Sequence, residues 1–266
     1  MQSNQMNLFV HGESNECFEI IDFHEYRIAY FSKKKNSSQD NEDSLFCVGN
    51  QDFFVAGVAD GAGGHPKGRE ASYIIGEEIL KRVGTDVKNS YHVLDIIEQA
   101  NEKVLGLKVG AKSTLSLLTF EKDTLRFFSV GDSEILYMNS LGAEIYSNVP
   151  HSQVGYQIQA GLIDQQESLD DPERYIVNNL IGDPAIRIET TSKMTIKKGH
   201  SIVVGSDGLF DNVSHQELLN LLGGGVFEKG LDLLVDICKK QGENWKKDDD
   251  VSFIVIRKMR TSNENS

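Results

Sequence analysis

Short apolar segments bounded by an aspartate are the feature of this sequence that most constrains its fold. Asp60 ends the run Phe-Phe-Val-Ala-Gly-Val-Ala, Asp132 follows Phe-Phe-Ser-Val-Gly, and Asp207 follows Ser-Ile-Val-Val-Gly-Ser. Asp249 lies at the opposite end of such a run, since Asp250 and then Val-Ser-Phe-Ile-Val-Ile follow it. Runs of this length are typical of buried β-strands, so each carboxylate is expected at the rim of a sheet.

The order of the predicted elements favours two packed antiparallel sheets. Strand-like runs are clustered, and apolar residues recur at helical spacing in two consecutive pairs of segments. A parallel doubly wound sheet needs strict alternation of strands and helices, which is absent here. We therefore expect an α+β protein with two face-to-face sheets, each covered by a helix pair. The predicted strands are residues 27–31, 45–48, 53–58, 113–120, 125–130, 134–138, 186–196, 201–204 and 251–256, and the predicted helices are residues 71–83, 93–104, 218–222 and 231–237.

Composition excludes several classes of function. The chain has 27 Lys and Arg against 40 Asp and Glu, a net charge of −13, whereas nucleic-acid binding needs a basic surface. Its apolar runs are far shorter than the ~20 residues that span a bilayer, and residues 1–15 lack the apolar core of a signal peptide. Three widely spaced cysteines form neither a disulfide framework nor a zinc motif. These features predict a cytoplasmic protein that binds neither nucleic acid nor membranes.

Four aspartates in one context favour a metal centre. A single aspartate at a strand end is usually a turn former or a helix N-cap. Several carboxylates that converge on one sheet edge repel and desolvate one another unless a cation neutralises them. Hard oxygen ligands suit Mg²⁺ or Mn²⁺ rather than zinc. Gly61, directly after Asp60, permits a sharp turn that lets its carbonyl join such a site.

Further motifs occur in a fixed order along the chain. A single motif of this kind is weak evidence, but the ordered set, from about residue 27 to 257, resembles the metal-dependent PP2C (PPM) family of serine/threonine protein phosphatases, particularly its bacterial members. The motifs are Asn-Glu-Asp-Ser at residues 41–44, Val-Ala-Asp-Gly-Ala-Gly-Gly-His at 58–65, Gly-Arg-Glu-Ala-Ser at 68–72, Lys-Ser-Thr at 112–114, Val-Gly-Asp-Ser at 130–133, Gly-Ser-Asp-Gly-Leu-Phe-Asp at 205–211 and Asp-Asp-Val-Ser at 249–252.

The resemblance implies one PP2C-like domain over residues 1–266, folded as a four-layer α/β/β/α sandwich. Its core would span about residues 27–257, and the irregular region of about residues 147–185 would be a flap near the active site. Residues 1–16 are mixed and polar, and we expect them to be partly frayed. Residues 260–266 form a polar tail.

The resemblance also implies a site for two Mn²⁺ or Mg²⁺ ions. Asp60 would bridge both ions, and Gly61 would offer its carbonyl to one of them. Asp207 and Asp249 would bind the other ion. Asp249 rather than Asp250 is the implied ligand, because the family's Asp-Asn pair aligns with these two residues.

Further acidic residues have implied roles around these ligands. Glu42 and Asp43 would hold metal-bound waters, and Asp132, with Asp211, would bind a third, weaker ion. Asp43 is also an implied catalytic residue, together with Asp60 and Asp207. A water molecule activated between two such ions attacks phosphorus in line, so no cysteine nucleophile is needed.

The chain departs from the family pattern at the position where an Arg is expected to bind the substrate phosphate. The family usually has an Arg a few residues before the Asn-Glu-Asp motif, where this chain has Ser-Ser-Gln-Asp at residues 37–40. Lys33, Lys34 or Lys35 are candidates to replace it, although a lysine offers a point charge rather than a bidentate fork. The phosphate-binding group is therefore left open.

Three other positions also differ. Ala62 stands where animal members carry a His, and His65 is interpreted as a structural or rim residue. Glu134 replaces the Arg of the common Gly-Asp-Ser-Arg motif. The other histidines, His215 among them, receive no role.

Three functions stay open at this point. The first is a monomeric phosphatase that acts on phosphorylated proteins and opposes a serine/threonine kinase. The second is a PP2C-like regulatory or binding module with weak or no turnover, which the missing Arg favours. The third is a phosphohydrolase of small phosphorylated metabolites.

Overall fold

Two antiparallel sheets form the centre of this protein in the computed structural model, which describes residues 5–12, 16–35, 40–85, 87–168, 171, 173, 176–240, 245 and 247–259. Strands and helices are numbered along the chain. The first sheet contains, in spatial order, β1 (Gln5–His11), β4 (Asp43–Asn50), β5 (Phe53–Asp60), β6 (Leu115–Glu121), β7 (Thr124–Val130) and β10 (Glu189–Thr190), and β11 (Met194–Thr195) also pairs with β7. The second sheet contains β2 (Cys17–Phe23), β3 (Tyr26–Lys33), β13 (Val251–Lys258), β12 (Ser201–Gly205), β8 (Glu134–Met138) and β9 (Glu144–Ser147).

Helices cover the outer face of each sheet. The outer layer of the first sheet is a helix pair, and the outer layer of the second is a helix pair preceded by one short helix. The helices are α1 (Gly68–Arg82), α2 (His92–Gly106), α3 (Gln153–Gln159), α4 (Gln165–Ser168), α5 (Asp207–Phe210), α6 (His215–Leu222) and α7 (Phe227–Lys240). Helices α1 and α2 pack on the first sheet, and α5, α6 and α7 on the second. The predicted α/β/β/α sandwich is therefore confirmed.

Aromatic side chains from both sheets fill the central layer. Phe54 and Phe120 of the first sheet stack with ring centroids 4.2 Å apart, and Tyr26 of the second sheet contacts Phe120 at 4.8 Å. All three are buried. Because large aromatic groups carry much of the hydrophobic free energy of a core, this contact joins the two sheets firmly.

Three predictions of local structure need correction. Part of the segment predicted to be frayed forms β1, which pairs with β4 along its whole length. The region predicted to be irregular, residues 147–185, contains α3 and α4. The strand predicted over residues 186–196 is only the two short strands β10 and β11. The predicted tail lies outside the described residues, and no described helix is long and apolar enough to cross a membrane.

We predict that Phe120→Ala lowers the free energy of unfolding by about 3–5 kcal/mol, because it leaves a cavity between the sheets. Urea unfolding followed by circular dichroism measures this change. Leu141→Ala is the control, since Leu141 is 90% exposed, and it should shift stability by less than about 0.5 kcal/mol. Equal effects from the two variants would contradict the assignment of Phe120 to the central core.

Candidate metal centre

The rim of the first sheet carries Asp43 and Asp60 side by side. Asp43 begins β4, Asp60 ends β5, and the two residues are direct partners in the antiparallel register. The carbonyl oxygen of Asp60 accepts hydrogen bonds from the backbone N–H of Thr114 and the hydroxyl of Ser113, both at 2.8 Å. These bonds fix the backbone at the point where β5 ends.

The backbone of Gly61 lies in close contact with the backbone of Gly68. A Cβ at this position would lie 2.4 Å from the carbonyl carbon of Gly68, at the start of α1. The N–H of Gly61 donates to the carbonyl of Glu42 at 3.2 Å. Only glycine fits here, so packing requires Gly61 independently of any role of its carbonyl in binding a cation.

The rim of the second sheet carries Asp207 and Asp249. Asp207 follows β12 as the first residue of α5, and Asp249 lies two residues before β13, the strand that pairs with β12. The chain segments approach closely, because a Cβ on Gly208 would lie 2.0 Å from the carbonyl oxygen of Asp250. This contact brings the two aspartates to one place.

Both rims open onto one cavity of about 450 Å³. A neighbouring cavity of about 420 Å³ shares Asp132 and Asp207 with it, is bounded by α3 and also contains Asp211. Asp43 is buried at the first rim as the strand partner of Asp60. The larger cavity is lined by Glu42, Asp60, Gly61, Asp132, Asp207 and Asp249. All the residues implied as ligands thus lie at one end of the sandwich.

Burial and like charges raise the pKa values of three of these aspartates. Desolvation raises the pKa of Asp43 well above its usual value, and the negative charge of Asp250 adds to this effect. Burial and the charge of Asp43 raise the pKa of Asp60. Burial and the charge of Asp207 raise the pKa of Asp132 to about 7. Each shift means that the ionised form is costly without a neighbouring cation.

The residue set fits a hard divalent cation. Both side-chain oxygens of Asp43 are buried without a hydrogen-bond partner, which is a costly arrangement in a folded protein. Carboxylate and carbonyl oxygens are the ligands that Mg²⁺ and Mn²⁺ prefer, and Asp60, Asp207, Asp249 and the carbonyl of Gly61 supply them. Among the described residues, however, no three acidic, imidazole or thiol groups are yet gathered closely enough to enclose an ion.

Lys247 lies among the ligands of the second rim. Its ammonium contacts a side-chain oxygen of Asp207, lies 3.0 Å from Oδ2 of Asp249 and is 3.6 Å from Oδ2 of Asp211. Burial opposes the charged form, but these three carboxylates outweigh it and raise the pKa of Lys247. Sequence reasoning missed this residue, although its position two residues before Asp249 was a usable signal.

Asp250 and Lys35 join the loop after β3 to the site. The side chain of Asp250 accepts the backbone N–H of Lys35 at 2.8 Å and that of Glu42 at 2.9 Å. Lys35 lines the larger cavity, with Nζ 3.6 Å from Oδ1 of Asp249. Of the three candidate lysines, only Lys35 lines this cavity. The positions of Ser37 and Ser38 lie outside the described residues.

His215 also has an environment that sequence reasoning did not detect. Its Nε2 lies 2.9 Å from Glu134 and its Nδ1 lies 3.6 Å from Glu144, at the wall of the smaller cavity. Burial lowers the pKa of His215, but the two glutamates raise it to about 9 overall. His65, in contrast, is exposed at the mouth of the larger cavity, in line with its interpretation as a rim residue.

Comparison with known proteins identifies the family. A family model described as protein phosphatase 2C matches residues 32–245, which is well over half of the chain. The chain belongs to the protein phosphatase 2C family. This match confirms the expected family and, with it, the expected class of enzyme, a protein phosphatase.

Three similar proteins show the extent of the similarity. A Streptococcus pyogenes protein assigned to the 2C type is 26% identical over 197 residues, which cover 70% of this chain and 79% of that protein. The serine/threonine phosphatase Stp1 from Staphylococcus aureus is 22% identical with a TM-score of 0.74, over 93% of this chain and 98% of that chain. The catalytic domain of the phosphatase PstP, solved with two manganese ions, is 20% identical with a TM-score of 0.72, over 88% and 99% of the respective chains.

We predict that His215→Gln destabilises the protein in a pH-dependent way. Since the folded-state pKa is raised from 6.5 to about 9, the charged imidazole contributes its full stability below about pH 6.5 and loses it as the pH rises through 9. The difference in free energy of unfolding between wild type and variant should be on the order of 2 kcal/mol at pH 6 and should shrink towards pH 9.5.

Urea unfolding at a series of pH values measures this difference. His92→Gln is the matched control, because His92 is an exposed residue at the start of α2. A loss of stability that is independent of pH would mean that the ion pairs with Glu134 and Glu144 are not the reason for the effect.

Proposed function

We propose that this chain is an active serine/threonine phosphoprotein phosphatase that uses two Mn²⁺ or Mg²⁺ ions. The observation that carries the proposal is the gathering of strand-end aspartates from both sheets around one open cavity. Carboxylates so placed have no benefit for folding, since burial and repulsion raise the pKa values of Asp43, Asp60 and Asp132. Membership of the protein phosphatase 2C family and the manganese-bound PstP structure support the same conclusion.

The residues of the chain divide the chemistry between them. Asp60, Asp207, Asp249 and the Gly61 carbonyl would hold the two ions, and Asp132 with Asp211 would hold a third. Divalent ions, when bound, activate water as a nucleophile and neutralise phosphoryl oxygens. The unpartnered oxygens of Asp43 would accept hydrogen bonds from water next to Asp60 and so orient it.

The proposed substrates are phosphorylated proteins, so the opposing enzyme would be a serine/threonine kinase. The cavity is open at the mouth where His65 is exposed, which allows a phosphorylated side chain to enter from a protein surface. That the protein is a monomer in the cytoplasm stays a prediction, as does the division into one core, a flap and a tail.

A regulatory module without turnover is the second candidate. The contact of Lys247 with Asp207 and Asp249 favours it, because a positive group already neutralises two carboxylates implied as ligands of one ion. Measured Mn²⁺ binding without hydrolysis of any phosphorylated peptide would support this module and contradict the active enzyme.

We predict that Asp60→Asn and Asp207→Asn each lower turnover at least about 100-fold, because each removes a charged ligand at the reacting centre. The assay is hydrolysis of p-nitrophenyl phosphate and of a phosphothreonine peptide across a Mn²⁺ titration. Asp123→Asn is the matched control, since Asp123 has a 70% exposed side chain and pairs with Lys258, away from the site. Unchanged turnover in the Asp60 or Asp207 variant would refute the proposed mechanism.

A panel of substrates separates the protein phosphatase from a phosphohydrolase of small metabolites. We expect a higher kcat/KM for phosphoserine and phosphothreonine peptides than for sugar or nucleoside monophosphates. A higher kcat/KM for the sugar or nucleoside monophosphates would instead indicate a phosphohydrolase of small metabolites. It would not contradict the proposed metal-dependent chemistry.

Lys35 is the proposed phosphate-binding group. Because a charged hydrogen bond contributes about 1.5–3 kcal/mol, Lys35→Met should raise KM for p-nitrophenyl phosphate about tenfold or more. Lys35→Arg should retain most of the affinity, and Lys34→Met is the neighbour control with the same change in charge. An unchanged KM in Lys35→Met would exclude this role.

A further inference from the structure

The ammonium of Lys247 lies between the two carboxylates that are implied to share one ion. It contacts a side-chain oxygen of Asp207 and is 3.0 Å from Oδ2 of Asp249. Asp211 approaches the same ammonium to 3.6 Å. The ammonium of Lys247 thus faces three carboxylates, and the side chain of Lys247 is only 19% exposed to solvent.

The backbone of Lys247 is held against α5, so this contact is part of the fold. The N–H of Lys247 donates to Oδ1 of Asn212 at 3.0 Å, and Nδ2 of Asn212 donates back to the carbonyl of Lys247 at 3.0 Å. The same Nδ2 donates to the carbonyl of Gly208 at 2.9 Å, directly after Asp207. Asn212 therefore fixes the backbone of Lys247 beside the carboxylates.

An ammonium and a divalent cation exclude each other from this pair. Both need the same oxygens of Asp207 and Asp249, and their positive charges repel strongly at a few ångströms in a partly buried site.

We propose that Lys247 is a built-in competitor for one ion: it neutralises Asp207 and Asp249 in the metal-free protein, and an ion binds to this pair only after the ammonium has rotated away. The proposal rests on the metal site of the proposed function, but it does not depend on turnover. It makes Lys247 a positioning residue that sets metal affinity and raises the Mn²⁺ concentration at which the site fills.

Isothermal titration of the metal-free protein with Mn²⁺ tests the proposal. Lys247→Met should bind at least one ion at least tenfold more tightly than the wild type, because the competing charge is gone. Lys247→Arg, which keeps a positive charge, should remain within about threefold of the wild type. Lys193→Met is the charge-matched control, since Lys193 pairs with Glu121 outside the site, and it should bind Mn²⁺ like the wild type.

Thermal unfolding gives a second readout that a purely structural lysine would not produce. Without metal, Lys247→Met should unfold at a lower temperature than the wild type, because three carboxylates lose their counter-ion. At saturating Mn²⁺ its stabilisation should exceed that of the wild type. Lys247→Gln, which keeps a hydrogen-bond donor, provides the same comparison if the Met variant does not fold.

The outcomes separate this proposal from the phosphatase. Equal or weaker Mn²⁺ binding by Lys247→Met and Lys247→Gln would overturn the competition while leaving the proposed activity untouched. Tighter binding by these variants, together with no hydrolysis of any phosphopeptide by the wild type, would support the competition and contradict the active enzyme. Absence of Mn²⁺ binding by every protein, wild type included, would overturn both.

Discussion

The packed sandwich holds several buried aspartates together at one end, against their mutual repulsion. Asp43 and Asp60 are direct strand partners, and Asp207 and Asp249 approach them from the second sheet. A flexible chain would separate these charges, because each buried carboxylate that lacks a cation is costly. The aromatic layer between the sheets and the hydrogen bonds between strands of up to 8 residues hold them in place. The favourable free energy of core packing thus offsets the repulsion between the aspartates at the rim.

Two lysines offset part of this repulsion, and a histidine pairs with two glutamates nearby. Asp250 stands where the family pattern has Asn, and its extra negative charge is met by Lys35, whose own N–H it accepts. Glu134 stands where the family pattern has Arg, and His215 supplies the missing positive charge. At both positions an acidic side chain therefore lies next to a cationic one.

The sequence was a good guide wherever a segment is buried on both faces. The strands β5, β12 and β13 are continuous apolar runs, and this pattern predicts their existence and their polar ends. Strand β1 was missed because only two of its seven residues are buried, so its order comes from pairing with β4 rather than from its own pattern. The helix α3 was missed for a similar reason, since it is seven residues long and depends on a cap at Ser152.

The fold class and the acidic residues expected at the site could be predicted from the amino-acid sequence, because strand length, helical spacing and the ordered motifs are local properties that neighbouring residues encode. Which lysine and histidine side chains pair with those acids depends on the tertiary structure. Lys35 pairs with Asp249, 214 positions further along the chain. Lys247 pairs with Asp207 across 40 positions, and His215 pairs with Glu134 across 81. Only the contact of Lys247 with Asp249, among these pairs, is local in sequence. The lysine pairs form because β3 aligns with β13 and because α5 packs beside the segment before β13. No local sequence pattern specifies that such distant segments lie close together.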